Sequence, residues 1–109
     1  MIFMDEQFNA LMLDEKDNVA VVLQTLRAGD LLSIQDEVKK VEVIKSIPYG
    51  HKAALSPIPK DHRIYKYGEC MGIATQDIEE GDHVHESNVR GLTEEDKSYQ
   101  EEGINIENI

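Results

Sequence analysis

Val21-Val22-Leu23-Gln24-Thr25-Leu26-Arg27-Ala28-Gly29-Asp30 and Ile73-Ala74-Thr75-Gln76-Asp77-Ile78-Glu79-Glu80-Gly81-Asp82 are two versions of one pattern, 52 positions apart. Gln24 matches Gln76, Gly29 matches Gly81 and Asp30 matches Asp82, while Val21 and Leu26 find apolar counterparts in Ile73 and Ile78. Each version reads as a strand, a tight turn anchored by an apolar side chain, a glycine that supplies positive φ, and a second strand. Two such copies predict a mostly β domain with strand-turn-strand halves related by a pseudo-two-fold and little helix. Val21, Leu23, Leu26, Ile73 and Ile78 are expected in its core.

The rest of the chain supports strands. Phe8–Leu13, Val19–Leu23, Leu31–Ile34, Val38–Ile44, Ile64–Tyr67 and Met71–Thr75 are short apolar or β-branched runs, and Val84 begins a last one. Asp14-Glu15-Lys16-Asp17-Asn18 is turn chemistry, since Asp and Asn bond nearby backbone. Pro48, Pro57 and Pro59 belong in loops or at edges. Gly68 and Gly72 suit a turn and a bulge. Three segments follow: a loose start over 1–6, a β domain over 7–92, and an acidic extension over 93–109. In the extension, Thr93-Glu94-Glu95-Asp96 fits a helix N-cap followed by an acidic first turn. Gly103–Ile109 alternates like an edge strand; a disordered tail or a partner-docking segment fits it equally.

With 109 residues and 40% hydrophobic content, the chain supports one core but hardly a deep pocket of its own. No window has the ~20 apolar residues of a membrane-spanning helix, so no membrane role is expected. The start carries Asp5 and Glu6 where a signal peptide wants bases, and the single cysteine, Cys70, fits a reducing, cytoplasmic setting. The formal net charge of −11 argues against nucleic acid as a partner. Yet residues 39–66 hold Lys39, Lys40, Lys45, Lys52, Lys60, Arg63 and Lys66 against Glu42 and Asp61. That local basic field is able to capture a small carboxylate, because salt screens distant charge beyond about 10 Å.

Within and just after this basic stretch lies a polar constellation: Gly50-His51-Lys52, Lys66-Tyr67-Gly68, Gly72-Ile73-Ala74-Thr75, then Gly81-Asp82-His83-Val84-His85 and Asn88. His51 offers an acid or base near neutral pH, and Lys52 a cation for a carboxylate. Lys66 and Tyr67, adjacent on a strand, would point to opposite faces. His83 and His85, two apart on a strand, would share a face and either ligate a divalent cation or serve turn and surface. Asn88 either bonds substrate or stabilises a turn. His62 carries no motif, and Cys70 no cue for a nucleophile.

Taken in order, together with Asp17-Asn18-Val19-Ala20, these segments resemble the small SAF-type (beta-clip) domain of the altronate and galactarate dehydratases and the small subunit of sulfolactate sulfo-lyase. The resemblance covers residues 7 to 90. The family pattern is roughly D-N-V-A, G-H-K, K-Y-G, I-G-x-A and G-x-x-V-H-x-H-N; here Ser87 replaces the second histidine of the last motif, which leaves that metal set incomplete. The resemblance implies a SAF-like beta-clip acting as an accessory domain or subunit of a sugar-acid dehydratase, inactive alone and completed by a large catalytic subunit or C-terminal catalytic region. The substrate would be a small sugar acid or other hydroxy-carboxylate, and the complete enzyme would use a divalent metal, iron. His51, Lys66 and His85 are then the expected catalytic groups, Lys52, Tyr67 and Asn88 the substrate contacts, and His85 and His83 the metal ligands. A sulfo-lyase small subunit and a non-catalytic SAF binding module are the alternatives.

Overall fold

The computed structural model describes residues 8–34 and 37–97. Among them are nine strands: β1 (Ala10–Leu11), β2 (Val19–Val22), β3 (Leu31–Ile34), β4 (Glu37–Glu42), β5 (Lys52–Ala54), β6 (Arg63–Lys66), β7 (Glu69–Ala74), β8 (His83–Val84) and β9 (Val89–Arg90). The architecture is mostly β and clip-like. A six-stranded mixed sheet runs β4-β3-β1-β2-β5-β8, and a three-stranded antiparallel sheet runs β6-β7-β9. The loose start at 1–6 and the alternating segment at Gly103–Ile109 lie outside the described residues. The N-cap expectation holds: Thr93 Oγ1 accepts from the Asp96 N–H (3.1 Å), an Asp96 oxygen accepts from the Thr93 N–H (2.9 Å), and residues 94–97 form a helical turn.

Among the described residues the turn motif occurs four times rather than twice. Arg27–Asp30, Pro48–His51, Pro59–His62 and Glu79–Asp82 each close with a bond from the fourth residue's N–H to the first residue's carbonyl, at 2.9–3.0 Å. The third residue is in the left-handed region every time: Gly29 (φ 99°), Gly50 (87°), Asp61 (75°) and Gly81 (86°). That is the requirement of a type II turn. Each turn also brackets the peptide of a buried residue on another segment, with two bonds of 2.7–3.0 Å. Gly29 and Asp30 hold Val43, Gly50 and His51 hold Val22, Asp61 and His62 hold Ala74, and Gly81 and Asp82 hold Ala54. Leu26 bridges Ile47 and Ile58 bridges Ile78 beneath them.

These bonds correct the repeat. The structural unit is strand, turn, hairpin, turn, and it recurs after 31 to 32 residues: Leu26 corresponds to Ile58, Ile47 to Ile78, Val22 to Ala54 and Val43 to Ala74. The 52-residue likeness pairs the first turn of one unit with the second turn of the other. Pro48 and Pro59, and Asp61 in a glycine's place, hide the shorter period in the sequence.

Two apolar cores follow the two units. One gathers Val22, Leu26, Val41, Val43 and Ile47, the other Val19, Ala54, Ile58, Ile64, Ile78 and Val84. Leu26, Ile73 and Ile78 are buried as expected. Leu23 is not: it is 39% exposed, while Val22 is fully buried. Val21 is half-buried. The alternation of β2 turns Ala20 and Val22 into the first core, so Leu23, just past the strand end, faces outward.

Candidate metal centre and anion pocket

Three asparagines fasten the strands that follow three of the turns, all in the same way. The Asn9 side chain donates to the Leu31 carbonyl and accepts from the Ser33 N–H. Asn18 does this for Arg63 and Tyr65, and Asn88 for His83 and His85, at 2.8–2.9 Å. An amide has one donor end and one acceptor end, so one asparagine fixes residues i and i+2 of an extended segment. Asn88 is buried, and both ends of its amide are engaged by protein. The structure therefore places it beneath His83 and His85 as their support, the turn-stabilising alternative of its two sequence readings, rather than against a ligand.

The imidazoles converge from two strands. β5 and β8 pair antiparallel, Lys52 opposite Val84 and Ala53 opposite His83. Extending this register sets His51 opposite His85, so His51, His83 and His85 share one face. His51 Nδ1 lies 2.9 Å from His83 Nε2. The rings stack, with centroids 4.2 Å apart for His51 and His85, 5.0 Å for His51 and His83, and 5.3 Å for His83 and His85. One nitrogen from each ring lies within 4.8 Å of the others. Bonds of about 2.1 Å to a tetrahedral cation need ligand atoms roughly 3.4 Å apart. The trio therefore spans somewhat more than a bound cation would require, and neutral imidazoles suit zinc, iron, nickel or copper. His51 supplies a third imidazole beside His83 and His85 where Ser87 stands in place of the family's second histidine. Sequence reasoning had His51 as a catalytic group, not a ligand, because only the β5–β8 pairing brings it to His83. Partial burial, reinforced by the neighbouring His51 and His85, pushes the His83 pKa below its ordinary value, which favours the neutral, metal-binding form.

His85 also borders a pocket of about 230 Å³ lined by Lys52, Ile64, Lys66, Met71, Glu86, Val89, Arg90 and Gly91. Burial, followed by the nearby Lys66 ammonium, lowers the Lys52 pKa. A bulge positions Met71: it falls between the Ile64–Gly72 and Tyr65–Cys70 pairs, without a partner of its own. Gly72 has no room for a side chain, because Val89 and the Arg90 carbonyl of β9 lie against it.

Tyr67 is placed otherwise than expected. It is not on a strand but forms, with Gly68, the two-residue β6–β7 hairpin turn, with φ values of 58° and 80°. The residue is 45% exposed and does not line the pocket; the Lys66 ammonium sits 5.0 Å from its ring centroid. The Asp17 carboxylate holds this turn, accepting from the Tyr67 N–H at 3.0 Å and the Gly68 N–H at 2.8 Å. Asp17-Asn18 is thus a long-range clamp on the β6–β7 hairpin, a role no local turn propensity reveals.

The family model described as the altronate/galactarate dehydratase SAF domain matches residues 8–92. This chain belongs to that family. Among its SAF-domain relatives, the chain is 37% identical over 82 residues to (2R)-sulfolactate sulfo-lyase subunit alpha of Chromohalobacter salexigens, covering 71% of this chain and 87% of the relative. It is 40% identical over 74 residues to altronate dehydratase of Escherichia coli, covering 68% of this chain and 14% of that protein. Galactarate dehydratase (L-threo-forming) of the same organism is 38% identical over 77 residues, covering 69% of this chain and 14% of the relative. In the dehydratases the SAF region is therefore a small part of a much larger protein; in the sulfo-lyase it accounts for most of one subunit. No helix among the described residues is long and apolar enough to cross a membrane.

Proposed function

We propose that this chain is the accessory SAF domain of a cytoplasmic lyase acting on a hydroxy-carboxylate, of the altronate or galactarate dehydratase type, and that it presents its imidazoles and ammonium groups to a larger catalytic region or subunit. One observation carries the reading: the His51, His83 and His85 cluster opens beside a pocket bearing Lys52 and Lys66. Elimination alpha to a carboxylate needs a base for the carbon-bound proton and an acid or Lewis acid for the departing group. The three imidazoles would hold a divalent cation, iron in the complete enzyme, which supplies Lewis acidity when bound. Lys52 and Lys66 would hold and orient the carboxylate. A pocket of this size on one small domain encloses little of a substrate, so the larger partner must complete the site.

The sulfo-lyase reading has its own support, since the sulfo-lyase relative is a subunit matched over 87% of its length. Both readings are tested together by purifying the chain with its larger partner and assaying altronate, galactarate and sulfolactate. A dehydratase gives turnover of a sugar acid by the complex, none by the chain alone, and a loss on His85→Ala. Sulfite release from sulfolactate selects the alternative. A complex with no lyase activity, or no complex at all, leaves the non-catalytic binding module.

A further inference from the structure

We propose that Glu86 is a further ligand of the divalent cation held by His51, His83 and His85, adding a carboxylate oxygen to the three imidazoles. The inference rests on the metal reading given above and names a residue outside the imidazole cluster. Glu86 follows His85 in a turn whose backbone is fixed. The Asn88 N–H donates to the His85 carbonyl at 2.9 Å, and the Asn88 side chain accepts from the His85 N–H, also at 2.9 Å. Glu86 and Ser87 are the two residues this turn encloses. The Glu86 backbone is therefore tied to the histidine segment, while its side chain, 89% exposed, has no packing to hold it away from a cation. One Glu86 oxygen lies 3.8 Å from His85 Nε2. That is too long for a charge-assisted hydrogen bond of about 2.7–2.9 Å, and near the roughly 3.4 Å between two ligands of one tetrahedral cation.

Charge supplies the reason for a carboxylate. Three neutral imidazoles give a divalent cation no counter-charge, and Lys52 and Lys66 stand in the adjoining pocket. Arg90, another cation of that pocket, is answered by Asp96 at 2.8 Å. Asp82 precedes His83 but is buried and committed: one of its oxygens accepts from the His83 N–H at 2.8 Å and faces the Lys45 ammonium at 3.6 Å. Glu86 is the one acidic residue lining the pocket, and among the described residues it has no ion-pair partner other than His85. Ser87, beside it, offers only a neutral hydroxyl. One carboxylate ligand halves the net charge of the loaded centre, and a six-coordinate ion such as iron(II) keeps positions open for substrate.

The 109-residue chain, freed of metal, is titrated with cobalt(II) by calorimetry, and the visible bands of the complex are recorded. Glu86→Gln is expected to lose about tenfold or more in affinity, the least that even a residue behind a ligand costs, and to shift the cobalt bands, because the charged oxygen is gone. A charge acting only from a distance is screened, so the loss should persist in about 1 M sodium perchlorate, where the Debye length is about 3 Å. Glu15→Gln, on the exposed turn before β2, makes the same change of charge and should bind as the parent does. Because Glu86 is exposed, its variant keeps the fold, which amide spectra verify. Parent-like affinity and bands in Glu86→Gln, or a loss that disappears in high salt, overturn the proposal and leave the imidazole trio standing. Failure of the parent chain to bind cobalt overturns the proposal together with the metal reading beneath it.

Discussion

His51 Nδ1 and His83 Nε2 face each other across the β5–β8 pair at 2.9 Å. That contact tolerates one proton between the two nitrogens, or a shared cation. It does not tolerate two protonated rings. The His83 pKa is accordingly below its unfolded value, with burial the main cause and His51 and His85 adding to it. Because the unfolded chain then binds the proton more readily, the stability linked to His83 is fully present above the ordinary histidine value of about 6.5 and is lost as pH falls through the lowered one. Thermal midpoints from pH 7.5 to 5 should decline below pH 6.5, and His83→Gln should flatten the decline. A parent-like slope in that variant would assign the effect elsewhere.

Asn88 fastens the backbone of the segment that carries two of the three imidazoles. Asn88→Ala removes both bonds that hold the His83–His85 segment. Cobalt(II) binding, followed by its visible absorption, should weaken about 10- to 100-fold, the usual cost of losing a support behind metal ligands. Since Asn88 is buried, a stability loss of about 1–3 kcal/mol is expected alongside. Asn9→Ala removes the equivalent support at Leu31 and Ser33, far from the histidines in sequence. It should reduce stability while leaving cobalt affinity unchanged, and equal affinities for the two variants would refute a positioning role for Asn88.

Asp17 carries two backbone amides of the Tyr67–Gly68 turn on one buried carboxylate. Asp17→Ala orphans both, at a cost of about 2–4 kcal/mol in urea unfolding. Asp17→Asn keeps one good acceptor and should recover part of that.

Two glycines of the same turn type separate space from conformation. Gly29 and Gly81 have similar φ values, 99° and 86°. A methyl group at Gly29 meets nothing, whereas at Gly81 it runs into the Glu42 carbonyl oxygen. Gly29→Ala should cost about 1 kcal/mol, the penalty of a left-handed alanine. Gly81→Ala should cost more than about 3 kcal/mol or prevent folding, because backbone must move. Chemical denaturation of the pair measures the difference; comparable midpoints would contradict the close packing of β8's turn on the end of β4.

The sequence by itself determined the strand-and-turn character of this protein. Alternation, glycine placement and Leu26 and Ile78 as anchors are local properties, and a type II turn needs little beyond its own residues. The sequence also contained the site's chemistry, since His51, Lys52, Lys66, His83 and His85 all stand out as cations and imidazoles beside glycines. Tertiary structure decided how these are shared out. The 31- to 32-residue repeat shows only in backbone bonds, because Asp61 does the work of a glycine and prolines replace the residues that would align. Leu23 was read as core because it continues an apolar run, yet burial depends on which face a strand gives its neighbour. Tyr67 lies off the pocket lining because its backbone is the turn, and Asn88 supports the histidine segment because its amide is engaged on both ends. His51 joined the candidate metal cluster through pairing of β5 with β8, Met71 the pocket through the β6–β7 bulge, and Arg90 through pairing of β7 with β9. Contacts between residues 30 or more positions apart are fixed by strand register and by the closure of two cores, and no local pattern records them.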